Sequence, residues 1–187
     1  MHLAAVGAIL VASLVMGSCS PAALEVMRSD ASAAREVIRS DAPVAEEMLA
    51  LHNAKRRAHC APDLAWSSEL ARAAQAWADR CELAHAPRAM NLNQGENLAR
   101  GAGSLGEAAF LFGGWYEEMG RYKFSAPGFQ KGTGHFTQIV WRGTRELGCA
   151  VASCNGRKYW VCRYSPAGNI VNPGYFEKNV LPVGCGS

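Results

Sequence analysis

His85, Glu96, Glu118 and His135 have side chains suited to acid–base or metal chemistry. Imidazole titrates near neutrality and is a common metal ligand, and a carboxylate near it can orient water or take its proton. Spacing alone leaves the four as scattered polar residues. A lone histidine beside an apolar face is ordinarily a hydrogen-bonded core residue. Two of the four have an independent reason to face inward. His85 falls near the apolar face of a helix starting at Ser67, if that helix runs so far. Glu118 lies within about 60° of Leu111 and Trp115 on a helical wheel, whereas Glu117 lies far round the cylinder. Glu118 is therefore expected inside and Glu117 in solvent. His135 ends a Gly132-Thr133-Gly134-His135 turn before an apolar run. Spacing specifies no serine or free cysteine nucleophile.

The elements that must position these residues are helices first, then strands. Val44 to His59 reads as a helix with Val44, Met48, Leu51 and Ala54 on one face, and Pro62 interrupts after it. A second helix is expected from Ser67 to Glu82, capped by Ser67 or Ser68, with Leu70, Ala74, Trp77 and Cys81 on one side. Asn91 to Gly103 reads as a loop. Ser104-Leu105-Gly106-Glu107 is a capping box that opens a third helix to about Met119. Phe136 to Arg142, Leu147 to Ser153 and Lys158 to Tyr164 are short runs rich in β-branched and aromatic residues, expected as strands. Asn155-Gly156 between two of them signals a hairpin. Helices followed by a meander predict an α+β fold with an antiparallel sheet covered by helices.

The first charged residue is Glu25, and Leu3 to Gly17 is an apolar run followed by Ser18, Cys19 and Ser20. That layout predicts a signal peptide over residues 1–20; a membrane span needs about 20 apolar residues. Residues 21–43 read as a linker or pro-segment. In it Glu25-Val26-Met27-Arg28-Ser29-Asp30-Ala31 is echoed by Glu36-Val37-Ile38-Arg39-Ser40-Asp41-Ala42. Two copies are too few for a solenoid. Residues 44–187 suit one domain. Of seven cysteines, loss of Cys19 with the leader leaves six. An even set in an exported chain reads as a disulfide framework, although six cysteines allow fifteen pairings. A net charge of +3 with interspersed signs argues against nucleic acid and against a polybasic membrane patch. Neither an Asn-x-Ser/Thr sequon nor a C-x-x-C pair occurs.

The spelling of the motifs adds a resemblance. Gly134-His135-Phe136-Thr137-Gln138-Ile139-Val140-Trp141 is similar to the signature of the CAP superfamily: cysteine-rich secretory proteins, antigen 5 and pathogenesis-related protein 1. Cys81-Glu82-Leu83-Ala84-His85, Gly95-Glu96-Asn97-Leu98, Trp115-Tyr116-Glu117-Glu118, Leu147-Gly148-Cys149 and Tyr164-Ser165-Pro166-Ala167-Gly168-Asn169 agree in order. Pro127-Gly128-Phe129 and Asn179-Val180-Leu181-Pro182 resemble the Golgi-associated branch and secreted fungal relatives.

The resemblance, which covers roughly residues 45–184, implies a three-layer α-β-α sandwich stapled by disulfides. It places His85, Glu96, Glu118 and His135 around one cleft, with His85 and His135 as ligands of a weakly held Zn²⁺. It implies the pairs Cys81–Cys154 and Cys149–Cys162, which leaves Cys60 for Cys185. It also implicates the loop bearing Tyr122, Phe124 and Phe129 in binding a sterol or other lipid. The expected protein is thus a secreted binder of a lipid, sterol or protein partner, without a membrane span once the leader is cut. The alternative is a zinc-dependent hydrolase that uses the four cleft residues.

Overall fold

A computed structural model describes residues 44–87, 93–102 and 107–185. The leader, the 21–43 stretch with its echo, and Ser104 to Gly106 of the capping box lie outside the described residues.

Helix α1 (44–58) leads into the two-residue strand β1 (Ala65–Trp66) and helix α2 (Ser68–Ala78). Strand β2 (Gly95–Gly101) follows, then α3 (Glu107–Glu117), which tightens into a 3-10 turn over Glu118–Arg121. A long loop reaches α4 (Gly134–Ile139). Strands β3 (Glu146–Cys154) and β4 (Arg157–Ser165), α5 (Tyr175–Asn179) and a last 3-10 turn (Val183–Cys185) complete the chain. The sheet order is β1-β3-β4-β2. Strands β3 and β4 form the hairpin at Asn155-Gly156, both residues having positive φ (51° and 72°), as a two-residue primed turn requires.

The sheet separates two helical layers. On one face α2 lays Ala74, Trp77 and Ala78 against Leu98, Ala150, Ala152 and Val161. The helix sits flush on β3 because Gly148 has no side chain there; a Cβ would collide with the backbone at Leu70 and Ala71. On the other face, side chains of α1, α3 and α4, among them Met48, Phe112, Trp115, Phe136 and Ile139, cover Leu147, Cys149, Trp160, Cys162 and Tyr164. The described cysteines pair as Cys60–Cys185, Cys81–Cys154 and Cys149–Cys162, with Cα–Cα distances of 5.7, 5.9 and 4.1 Å. The last pair lies in register across β3 and β4.

The α+β sandwich stands, with four local differences. First, the sheet is mixed: β1 joins β3 in parallel through Ala65↔Glu146 and Trp66↔Leu147, while the other pairings are antiparallel. Second, Phe136 to Ile139 are helical rather than extended. All four side chains from Phe136 to Ile139 are buried, and a short fully buried run carries no period that separates helix from strand. Third, the expected loop contains strand β2, an edge strand whose extended form comes from pairing with β4 from Gly95↔Tyr164 to Gly101↔Lys158. Fourth, α2 stops at Ala78. The chain turns at Arg80 and Cys81, where Cys81 takes φ 61° and bonds to Cys154.

Helix α1 buries a polar face. Met48, His52 and Arg56, with His59 in the turn just after the helix, point inward, while Ala54 is exposed. Apolar periodicity finds Met48 and misses the other three.

Candidate functional site

Glu118 opens the 3-10 turn after α3, and its side chain is buried while Glu117 is exposed. Its carboxylate accepts three hydrogen bonds: from His135 Nδ1 at 2.8 Å, from the His135 backbone N–H at 2.9 Å and from the Phe136 N–H at 3.2 Å. It thereby satisfies donors at the start of α4 and fixes the His135 ring. The Trp115 indole lies against that ring, centroids 5.8 Å apart and 25° between planes. Burial pushes the Glu118 carboxyl up, but the bonds from His135 and Phe136 outweigh it and hold it below the usual carboxylate range.

The second pair has the same form. His85 follows the turn after α2, and Glu96 is the second residue of β2. His85 Nδ1 stands 2.7 Å from Glu96 Oε1, which also accepts the Ala86 N–H at 3.1 Å. Glu96 Oε2 faces Arg163 Nη2 at 3.0 Å, and both of these side chains are buried. The hydrogen bond to Glu96 raises the His85 pKa above its ordinary value, against burial and the charge of Arg163. The His85 side chain is 66% exposed and that of His135 33%.

A carboxylate can only accept, so in each pair the imidazole carries a proton on Nδ1 and, in its neutral form, presents the Nε2 lone pair. This is the carboxylate–histidine arrangement that orients metal ligands. The structure brings His85 to Glu96 and His135 to Glu118 as two pairs. Among the described residues, no three His, Cys, Asp or Glu side chains gather closely enough to hold one metal ion. Each pair thus supplies one imidazole donor held by its own carboxylate.

The aromatic loop divides. Tyr122 is buried, its ring edge-on to Phe124 at 4.9 Å, and Phe124 packs edge-on against Phe136 at 6.1 Å. Phe129 is 59% exposed. With Pro127 it lines a groove of about 310 Å³, closed on the other side by Val171, Asn172, Pro173, Phe176 and Glu177. Val171 and Phe176 carry no sequence signal for this role; they reach the groove only because the chain turns through Pro173-Gly174 into α5. Arg163, which pairs with Glu96, and Asn97, which bonds to the His135 carbonyl, are likewise invisible to spacing.

Residues 49–164 match the description "Cysteine-rich secretory protein family" (CAP). The chain belongs to this family. It is 41% identical over 141 residues to Golgi-associated plant pathogenesis-related protein 1 of Homo sapiens, covering 72% of this chain and 90% of that protein. It is 41% identical to protein PRY2 of Saccharomyces cerevisiae (73% of this chain) and 36% identical to secreted protein RBT4 of Candida albicans (72% of this chain). The matches span only 40% and 39% of those two fungal proteins. A crystal structure of NaASP2 with Zn²⁺ superposes with a TM-score of 0.63 at 25% identity, over 71% of this chain and 84% of that one. The relatives thus include a secreted protein, and the domain shares their fold with three disulfides.

Proposed function

We propose that this chain is a secreted binding protein whose cleft takes a divalent metal through His85 and His135. The observation that carries this reading is that both imidazoles are held at Nδ1 by a buried carboxylate and offer Nε2 outward. A relative crystallised with Zn²⁺ supports the choice of metal. Two protein ligands make a weak site, and protonating either imidazole removes one ligand. A zinc-dependent hydrolase is the less supported reading. Glu118 is committed to His135 and two backbone N–H groups, and Glu96 to His85, Ala86 and Arg163, so neither carboxylate is left over as a base.

Zinc titrated calorimetrically into the wild-type protein at pH 7.5 should bind, and the His85→Ala/His135→Ala double variant should abolish that binding. Equal heats from the two proteins would sink the reading. Cleavage of a peptide or ester library that is lost in both His135→Ala and Glu118→Ala would favour the hydrolase instead.

A second surface has its own observation. Phe129 and Val171, 59% and 72% exposed, stand beside a groove that mixes apolar walls with Asn172 and Glu177. A sterol, apolar over its length with one hydroxyl, suits such a lining. Tyr122 and Phe124 support the loop from the core. Phe129→Ala combined with Val171→Ala should weaken binding of a fluorescent sterol about tenfold, equivalent to about 1.4 kcal/mol of lost apolar contact. Phe124→Ala should chiefly lower the melting temperature. Unchanged sterol affinity in the double variant would remove the groove from the account.

A further inference from the structure

The two histidine–glutamate pairs belong to different parts of the fold, and one dipeptide of the edge strand fastens both. Glu96 and Asn97 are neighbours on β2, so their side chains leave opposite faces of the sheet. Glu96 lies in register with Arg163 and reaches His85. Asn97 points to the other face, is buried, and donates one amide hydrogen to the His135 carbonyl at 3.2 Å and the other to the Tyr164 hydroxyl at 3.1 Å. Among the described residues strand β2 pairs only with β4, so this bond ties the edge strand to the start of α4.

The bond belongs to a chain whose directions are all determined. The Met48 carbonyl can only accept, so His52 donates to it from Nδ1 at 2.7 Å. His52 Nε2 must then accept, and the Tyr164 hydroxyl donates to it at 2.8 Å. The Tyr164 oxygen is left to accept from Asn97, which requires the amide nitrogen on that side. Asn97 is thus held in one orientation from behind, and its remaining hydrogen is aimed at His135.

We infer that Asn97 is a positioning residue that sets the His135–Glu118 pair relative to the His85–Glu96 pair. It touches no ligand; it acts through the His135 main chain. As a determinant of zinc affinity it rests on the metal reading above, but as a restraint on His135 it does not. In Asn97→Leu the side chain keeps its bulk and loses both donors. In Tyr164→Phe the network loses its hydroxyl, while Asn97 keeps its bond to His135.

Two measurements on full-length protein test this. Backbone hydrogen exchange in metal-free protein should speed up at least tenfold at His135 and Phe136 in Asn97→Leu and stay within about threefold of wild type in Tyr164→Phe, each corrected for global stability from a denaturant titration. Zinc calorimetry should show a tenfold or greater loss of affinity in Asn97→Leu alone, the size expected for removing an outer-shell restraint. Wild-type exchange at His135 and Phe136 in Asn97→Leu overturns the inference whatever zinc does. Exchange and affinity that follow global stability equally in both variants also overturn it. Absence of zinc binding by the wild type would sink the metal reading, and exchange would still decide the role of Asn97.

Discussion

Replacing Arg56 with methionine should lower the stability of the domain by about 4 kcal/mol, the largest loss expected from any single side chain on α1. Arg56 is fully buried, and among the described residues no carboxylate forms an ion pair with it, Asp63 acting only through its charge. Its guanidinium instead donates to four main-chain carbonyls: Pro62 at 2.8 Å from Nε, Ile139 at 2.8 Å and Trp141 at 2.9 Å from Nη1, and Thr144 at 3.0 Å from Nη2. Burial lowers its pKa to about 10, helped by the charge of Arg145, so it stays a cation at neutral pH. Methionine would fill much of the volume but strand the carbonyls, each at a cost on the order of 1–3 kcal/mol before the chain relaxes. For a domain of this size that is a fall of roughly 10 °C in melting temperature. Two of the four carbonyls belong to Ile139, the last residue of α4, and Trp141 just beyond it. The short helix that carries His135 is therefore held by the Glu118 carboxylate at its start and by the Arg56 cation at its end. Arg56→Lys, with three donors, should recover part of the loss. A denaturant titration of Arg56→Met within 1 kcal/mol of wild type would show that the carbonyls find other partners.

Arg56 also marks where the sequence stops being legible. Apolar periodicity identifies α1, and a hairpin follows from Asn155-Gly156 because only residues that accept positive φ suit that turn. The helical wheel separates Glu118 from Glu117, one buried and one exposed in the structure. Each of these readings depends on local geometry and close neighbours in the chain. What escapes it depends on distant partners. Strand β2 contains two glycines and an asparagine, poor strand residues, and is extended because β4 supplies its hydrogen bonds. A Cβ at Gly95 would have to displace the buried Gln138 amide, a contact between residues far apart in sequence. Helix α4 reads as a strand by composition, and the two side chains that hold its ends lie on α1 and after α3. Likewise His52, Arg56 and His59 look like the solvated side of α1 until the other layer is placed over them. His85, Glu96, Glu118 and His135 stood out by type, and motif resemblance grouped them, but their division into two carboxylate–imidazole pairs is a tertiary fact.

Acid should destabilise this domain before its carboxylates titrate, and His52 is the expected cause. The ring is fully buried, and its hydrogen-bond partners are the Met48 carbonyl and the Tyr164 hydroxyl. Burial lowers its pKa from 6.5 to about 3; the bond to the Met48 carbonyl opposes this slightly, and the charge of Arg56 adds to it. Between those two values the unfolded chain binds a proton that the folded one refuses. The stability associated with neutral His52 is therefore complete above pH 6.5 and falls as pH drops, at up to about 1.4 kcal/mol per unit. His59, lowered by burial, acts in the same direction. Glu118, whose folded pKa is depressed, adds a further loss as pH falls through the carboxylate range. His85 has the opposite sign: its raised pKa stabilises the fold below 6.5 and ceases to do so as pH rises through the folded value. Urea titrations at pH 7 and pH 4.5 should differ by roughly 2–3 kcal/mol on account of His52 alone, and His52→Gln, neutral throughout, should flatten the dependence by about that amount. Parallel slopes for the two proteins would mean that the ring gains a proton without leaving the core.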